Sequence, residues 1–209
     1  MKNFFLVFFL FTVGIIKAQF SYGAKAGLVV STIEVGKTLP INPESKFTYA
    51  IGAFSEYKFS DFSLNLGVSY GEFGSKGLFV RVSDDPNSDN PNVNFNESMI
   101  ILDLTANYYI SNNLSVGAGS YYGYISNVEY DVSNYGNINM TDEYKNSDFG
   151  VLFKINYFLY KGLFTEVKYN LGLVNIYKET KFSNSLPGDF IKDDVVKNRM
   201  LTLSLGYKF

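Results

Sequence analysis

Leu201-Thr-Leu-Ser-Leu-Gly-Tyr-Lys-Phe209 alternates without a break. Leu201, Leu203, Leu205, Tyr207 and Phe209 share one parity, and Thr202, Ser204, Gly206 and Lys208 share the other. A β-strand sends successive side chains to opposite faces, so the stretch carries one wholly apolar face and one polar face. Such a strand, with a carboxylate directly after Phe209, suits a barrel whose apolar face meets lipid better than it suits a soluble core. The expectation it sets is of strands crossing a membrane.

Seven further segments repeat the pattern. They lie near 20–31, 47–59, 62–73, 98–110, 114–126, 149–159 and 163–174. In the first, Phe20, Tyr22, Ala24, Ala26, Leu28 and Val30 oppose Ser21, Gly23, Lys25 and Gly27. In the fourth, Ile100, Leu102, Leu104, Ala106, Tyr108 and Ile110 oppose Asp103, Thr105 and Asn107. Each segment is long enough for a tilted strand to cross a bilayer. Short connections (Ser60-Asp61, Ser111-Asn112-Asn113 and Tyr160-Lys161-Gly162) alternate with long ones near 32–46, 74–97, 127–148 and 175–197. The predicted fold is all-β: an eight-stranded antiparallel up-and-down transmembrane barrel with short periplasmic turns and four long extracellular loops.

A soluble lipocalin-type barrel alternates too, and three observations decide which face is outward. The apolar face carries only Glu72 and Arg199 as charges, both near loop ends. The other face is rich in Gly, Ser, Thr and Asn, which fit the narrow interior of eight strands, whereas a solvated surface carries more Lys and Glu. Aromatic residues gather at strand ends, with Phe20, Tyr22, Tyr57, Phe59, Phe62, Tyr108, Tyr157, Tyr207 and Phe209 at the turn end. Phe47, Tyr49, Tyr70, Tyr122 and Tyr124 stand at the other. Paired aromatic girdles mark the two interfaces of a membrane barrel.

At the N-terminus, Lys2, an apolar run from Phe4 to Ile16 and then Lys17-Ala18-Gln19 predict a secretory signal peptide over 1–18, leaving a barrel domain over 19–209. Its removal takes two of the 18 basic residues and leaves 16 against 20 acidic ones, with no basic patch to suggest nucleic acid. The chain has 20 Phe, 17 Tyr and 18 Gly in 209 residues, a vocabulary of strands and turns.

The sequence contains no histidine and no cysteine. A Ser-His-Asp triad, His-assisted acyl transfer, a His-ligated metal and a disulfide framework are therefore excluded. No catalytic, cofactor-binding or metal-ligating residue is predicted. Gly117-Ala-Gly-Ser-Tyr-Tyr-Gly123 lies inside a strand without a following helix, so its glycines read as relief from crowding in the lumen rather than a nucleotide loop. The inward parity holds Lys25, Glu56, Asp103, Lys154, Glu166 and Lys168, three acids and three bases. Mutual pairing is expected of them, either as an interior ion-pair network that fills the barrel or as a polar gate. Asp84-Asp-Pro-Asn-Ser-Asp-Asn-Pro-Asn92 reads as a solvated acidic turn or a weak calcium loop. Phe79, Phe95, Tyr130, Tyr135, Tyr144, Phe182 and Phe190 fall on the long loops, where they either bind partners or pack over the barrel mouth.

The leader ending Ile16-Lys-Ala-Gln19, the strand Phe20-Ser-Tyr-Gly-Ala-Lys-Ala-Gly-Leu28 and the closing strand resemble the small outer-membrane barrel proteins of Bacteroidetes, a PorT-like group built on an OmpA-type eight-stranded barrel. The final strand also resembles the C-terminal assembly signal of such barrels, carried here by Leu205, Tyr207 and Phe209. The resemblance implies an outer-membrane protein of a Gram-negative bacterium. It also implies contact with outer-membrane lipid and lipopolysaccharide, delivery by the barrel assembly machinery, and a protein or ligand met at the surface loops. It supplies no residue-level site. The expected function is a non-enzymatic structural or interaction role in the envelope, and the alternative is a narrow channel or an accessory of type IX-like secretion.

Overall fold

The computed structural model describes residues 20–35, 43–79, 92–133, 136–178 and 195–209. The predicted leader, Asp84 to Pro91, Tyr135, Phe182 and Phe190 lie outside the described residues. The strands are β1 (Phe20–Val35), β2 (Glu44–Phe59), β3 (Phe62–Phe79), β4 (Asn92–Tyr109), β5 (Leu114–Val132), β6 (Gly136–Asn139), β7 (Ser147–Tyr160), β8 (Leu163–Gly172) and β9 (Val196–Lys208). Eight of them pair antiparallel in the order β4-β3-β2-β1-β9-β8-β7-β5, and a β4–β5 ladder closes the ring. Closure leaves the barrel strands without an open edge, so their backbone polar groups are paired within the sheet. The short β6 hangs on the far end of β5.

Three tight turns join β2 to β3, β4 to β5 and β7 to β8 at the turn end. Lys161 and Gly162 both adopt positive φ (42° and 89°), the left-handed pair that matches the twist of a two-residue hairpin. A Cβ at Gly162 would lie 2.3 Å from the Lys208 carbonyl oxygen, so the position accepts only glycine without movement.

The outward parity is as expected: Leu28, Leu66, Leu104, Phe153, Val167 and Leu203 are all exposed, forming an apolar band around the barrel. At the turn end the rings Tyr57, Phe59, Phe62 and Tyr108 follow one another at 5.0–6.3 Å, and Tyr22, Phe209 and Tyr207 form a second run. Glu72 and Arg199 stand at the loop-end margin of the band, where Arg199 pairs with Glu34.

The strands do not stop where the band stops. β3, β4 and β5 run for 18, 18 and 19 residues, against about 9–11 for a tilted crossing. Segments expected to be loop, including 92–97 and 127–132, are thus sheet. Outward residues there turn polar, as at Thr32, Asn96, Ser98 and Ser126, so this part of the sheet stands above the apolar band as a rim. Beyond Tyr124, β5 loses β7 as a neighbour and gains β6, and a single turn of 3-10 helix (Thr141–Glu143) follows.

Candidate functional site

The interior has three storeys: small polar side chains line the middle one and part of the turn-end one, as in the buried Asn107–Ser63 and Asn156–Ser115 hydrogen bonds, and the middle one gathers the charges. There, Lys25 Nζ donates to Glu166 Oε1 at 2.7 Å, Lys154 Nζ lies 3.9 Å from Glu166 Oε2, and Lys168 Nζ donates to Asp103 Oδ2 at 3.1 Å. Lys154 also donates to Asn65 Oδ1 at 3.1 Å. Gly67 makes this packing possible, because a Cβ there would sit 2.6 Å from Asp103 Oδ1. Five of the six charged residues expected in the lumen therefore meet in one layer.

Glu56 does not join them. It lies a storey lower, accepting from Lys208 Nζ at 3.1 Å and from the Tyr109 hydroxyl. Phe54, Tyr109, Phe158 and Phe164 fill the lumen around it, with Phe54 and Phe164 edge-on at 5.5 Å. Lys208 shares the inward parity but was not grouped with the expected set; its partner is Glu56 and its ammonium also sits over Phe158 at 4.9 Å.

The loop-end storey is an apolar plug. Val29, Ile33, Phe73, Phe95, Met99, Ile125, Val128, Tyr144, Leu152, Ile176, Val196 and Met200 are buried in one cluster. Phe95, Tyr130 and Tyr144 are thus packing residues rather than surface anchors, their rings meeting tilted or edge-on at 5.4–6.4 Å.

Beneath the aromatic part of the plug sits a small polar knot. Asn198 Nδ2 donates to Glu97 Oε1 at 2.8 Å and to Asp148 Oδ2 at 3.1 Å, while the Tyr121 hydroxyl donates to the same Asp148 oxygen at 2.9 Å. Glu97 and Asp148 fall at the ends of the long connections expected near 74–97 and 127–148. Extending the inward parity of β4 and β7 back by one step would have placed both inside.

Glu97 stands beyond the apolar band, opposite Val128, while Asp148 lies level with the loop-end girdle, opposite Gly123. Burial pushes the Glu97 carboxyl up to about 8, with the neighbouring Asp148 adding to the rise and the Asn198 amide opposing it. A carboxyl raised on folding takes up a proton, so its stabilising contribution is complete below the unfolded value and is lost as pH rises. We expect the urea midpoint to fall as pH climbs from 4.5 through about 8, and Glu97→Gln to flatten that slope. A wild-type slope retained in the variant would refute the assignment.

Among the described residues no group of three or more acidic side chains is placed to hold a metal ion. Leu205, Tyr207 and Phe209 point outward into the turn-end girdle and are exposed.

A closed eight-stranded ring with an apolar waist, aromatic girdles and a filled interior defines a membrane β-barrel. The chain belongs to the outer membrane protein beta-barrel domain family, whose pattern matches residues 17–178. Neisserial surface protein A shares the fold at 14% identity, with a TM-score of 0.52 over 91% of this chain and 97% of that one. Ail, the attachment invasion locus protein of Yersinia pestis, is 12% identical with a TM-score of 0.46 over 91% of this chain and 99% of that one. The outer membrane protein OprG from Pseudomonas aeruginosa is 10% identical, with a TM-score of 0.46 over 90% and 95%. No curated protein matches the chain in sequence.

Proposed function

We propose that this protein is a non-enzymatic outer-membrane barrel that presents a rigid sheet rim at the cell surface to a partner or ligand. The supporting observation is the apolar cluster at the loop end, which rises from within the band into the rim and gives the part standing above the band a buried core. A barrel serving only as an anchor has no need of one. The turn end then faces the periplasm, the band meets outer-membrane lipid and lipopolysaccharide, and Leu205, Tyr207 and Phe209 are read by the barrel assembly machinery. Kinship with the PorT-like barrels of Bacteroidetes and removal of residues 1–18 belong to the same reading. The full sequence lacks the histidine and cysteine that common hydrolytic sites use, which supports a non-enzymatic role.

Three filled storeys speak against a channel. In planar bilayers the purified protein is expected to give no steady conductance. Steady openings would overturn the reading in favour of a narrow channel or secretion accessory.

A further inference from the structure

Three ammonium groups and two carboxylates share the middle storey, so that layer carries one cation more than it has partners. The Glu56–Lys208 pair below is balanced and offers no spare carboxylate. An unmatched charge in a lumen shielded from water is strongly disfavoured.

The same layer borders a cavity of about 20 Å³, whose polar lining is Lys25, Lys168, Asn170, Ser69, Thr202 and Ser204. Asn170 is 1% exposed, and neither its amide nitrogen nor its carbonyl oxygen has a hydrogen-bond partner. Each ammonium has three donors; the structure assigns one of Lys25's to Glu166 and one of Lys168's to Asp103. The cavity is therefore bordered by spare ammonium protons and the unpartnered Asn170 amide, with three hydroxyls beside them. Phe73, Ile101 and Met200 close its loop-end side with apolar surface, which suits a weakly hydrated ligand. The volume is that of one water-sized particle, too small for phosphate or a carboxylate.

We propose that this cavity binds a single monovalent inorganic anion of halide size, which balances the layer's surplus positive charge and accepts from the Asn170 amide N–H. The ligand enters as the barrel closes, since the aromatic storey below and the plug above bar the way afterwards. The inference is independent of what the rim binds.

Two measurements test it. Crystals of protein refolded in bromide should show one anomalous peak between Lys25 Nζ, Lys168 Nζ and Asn170 Nδ2. Peaks confined to the surface, with only water density in the cavity, would overturn it. Protein refolded separately in chloride and in gluconate at equal ionic strength should differ in urea midpoint, the chloride form being higher. Asn170→Leu fills the cavity and should abolish the difference; Thr202→Val, which removes one donor and little volume, should reduce it. Equal midpoints for the wild type in the two salts, or an undiminished difference in both variants, would refute the site.

Discussion

Glu166→Leu is expected to lower the unfolding free energy of the barrel by about 3–5 kcal/mol, seen as an earlier urea midpoint in lipid vesicles. Glu166 is 2% exposed and is the carboxylate shared by Lys25 and Lys154. Leucine approximates its volume, so the loss is electrostatic and not a cavity. Lys154 keeps its bond to Asn65, whereas among the described residues Lys25 has no second acceptor. Breaking one side of a buried pair leaves the other charge unsolvated, which costs more than the intact pair contributes. The companion change Lys25→Met should therefore recover most of the loss in the double variant, since it removes the stranded charge. Their coupling, taken from the double-mutant cycle, should be well above the ~0.5 kcal/mol scatter of independent sites. A single Glu166→Leu variant within about 1 kcal/mol of wild type would mean that water, rather than pairing, carries these charges.

The outer face of this barrel was readable because lipid imposes one rule on every strand. Leu64, Leu66, Val68 and Tyr70 show it in β3, and their exposure in the structure matches the parity. The inner face obeys no single rule, and its reading failed where the lining changes character. At Leu28-Val29-Val30, Met99-Ile100-Ile101-Leu102, Val151-Leu152-Phe153 and Met200-Leu201 the alternation lapses into continuous apolar runs. Both faces are apolar there because the plug lies on one side and lipid on the other. A lapse at the same height in four strands was the available signal for an apolar storey, and with it for strands that outrun the membrane.

The charged layer was partly legible for a related reason. Parity puts Lys25, Asp103, Lys154, Glu166 and Lys168 inside, and neighbouring strands bring equal heights together: Lys154 lies opposite Lys168 across the β7–β8 ladder. Height along the barrel depends on register, which a strand pattern alone does not state. That is why Glu56 was grouped with the wrong layer. Its partner Lys208 reaches it across β1, because β1 pairs Ser21 with Glu56 and Gly23 with Lys208. Glu97 keeps the inward parity of β4 but lies one step before the segment 98–110 that the alternation marks.

Phe95→Ala should loosen the rim without opening the barrel. Phe95 is fully buried, with its ring 5.8 Å from Tyr130 and 5.4 Å from Tyr144, and Tyr144 in turn meets Tyr177 edge-on at 5.4 Å. Truncating a phenylalanine in such a cluster costs about 3–5 kcal/mol. The cost falls on the rim because the cluster is its apolar core, and its other ties are hydrogen bonds around that core: β6 pairs with β5, and the segment after it returns through Lys145 N–H to the Ile176 carbonyl at 2.8 Å. Below the band margin, the ladders and the ionic storey are untouched. Limited proteolysis should therefore cut the variant within 126–146 at protease levels that spare the wild type, while its heat-modifiable gel migration stays unchanged. Phe95→Leu keeps most of the volume and should remain resistant. Ile138→Ala is the control, since that side chain is 41% exposed and its loss should change little. If Phe95→Ala resists cleavage as the wild type does, the aromatic cluster is not what holds the rim. If instead barrel and rim fail together, the rim has no separable core, and the case for a surface built to meet a partner loses its main support.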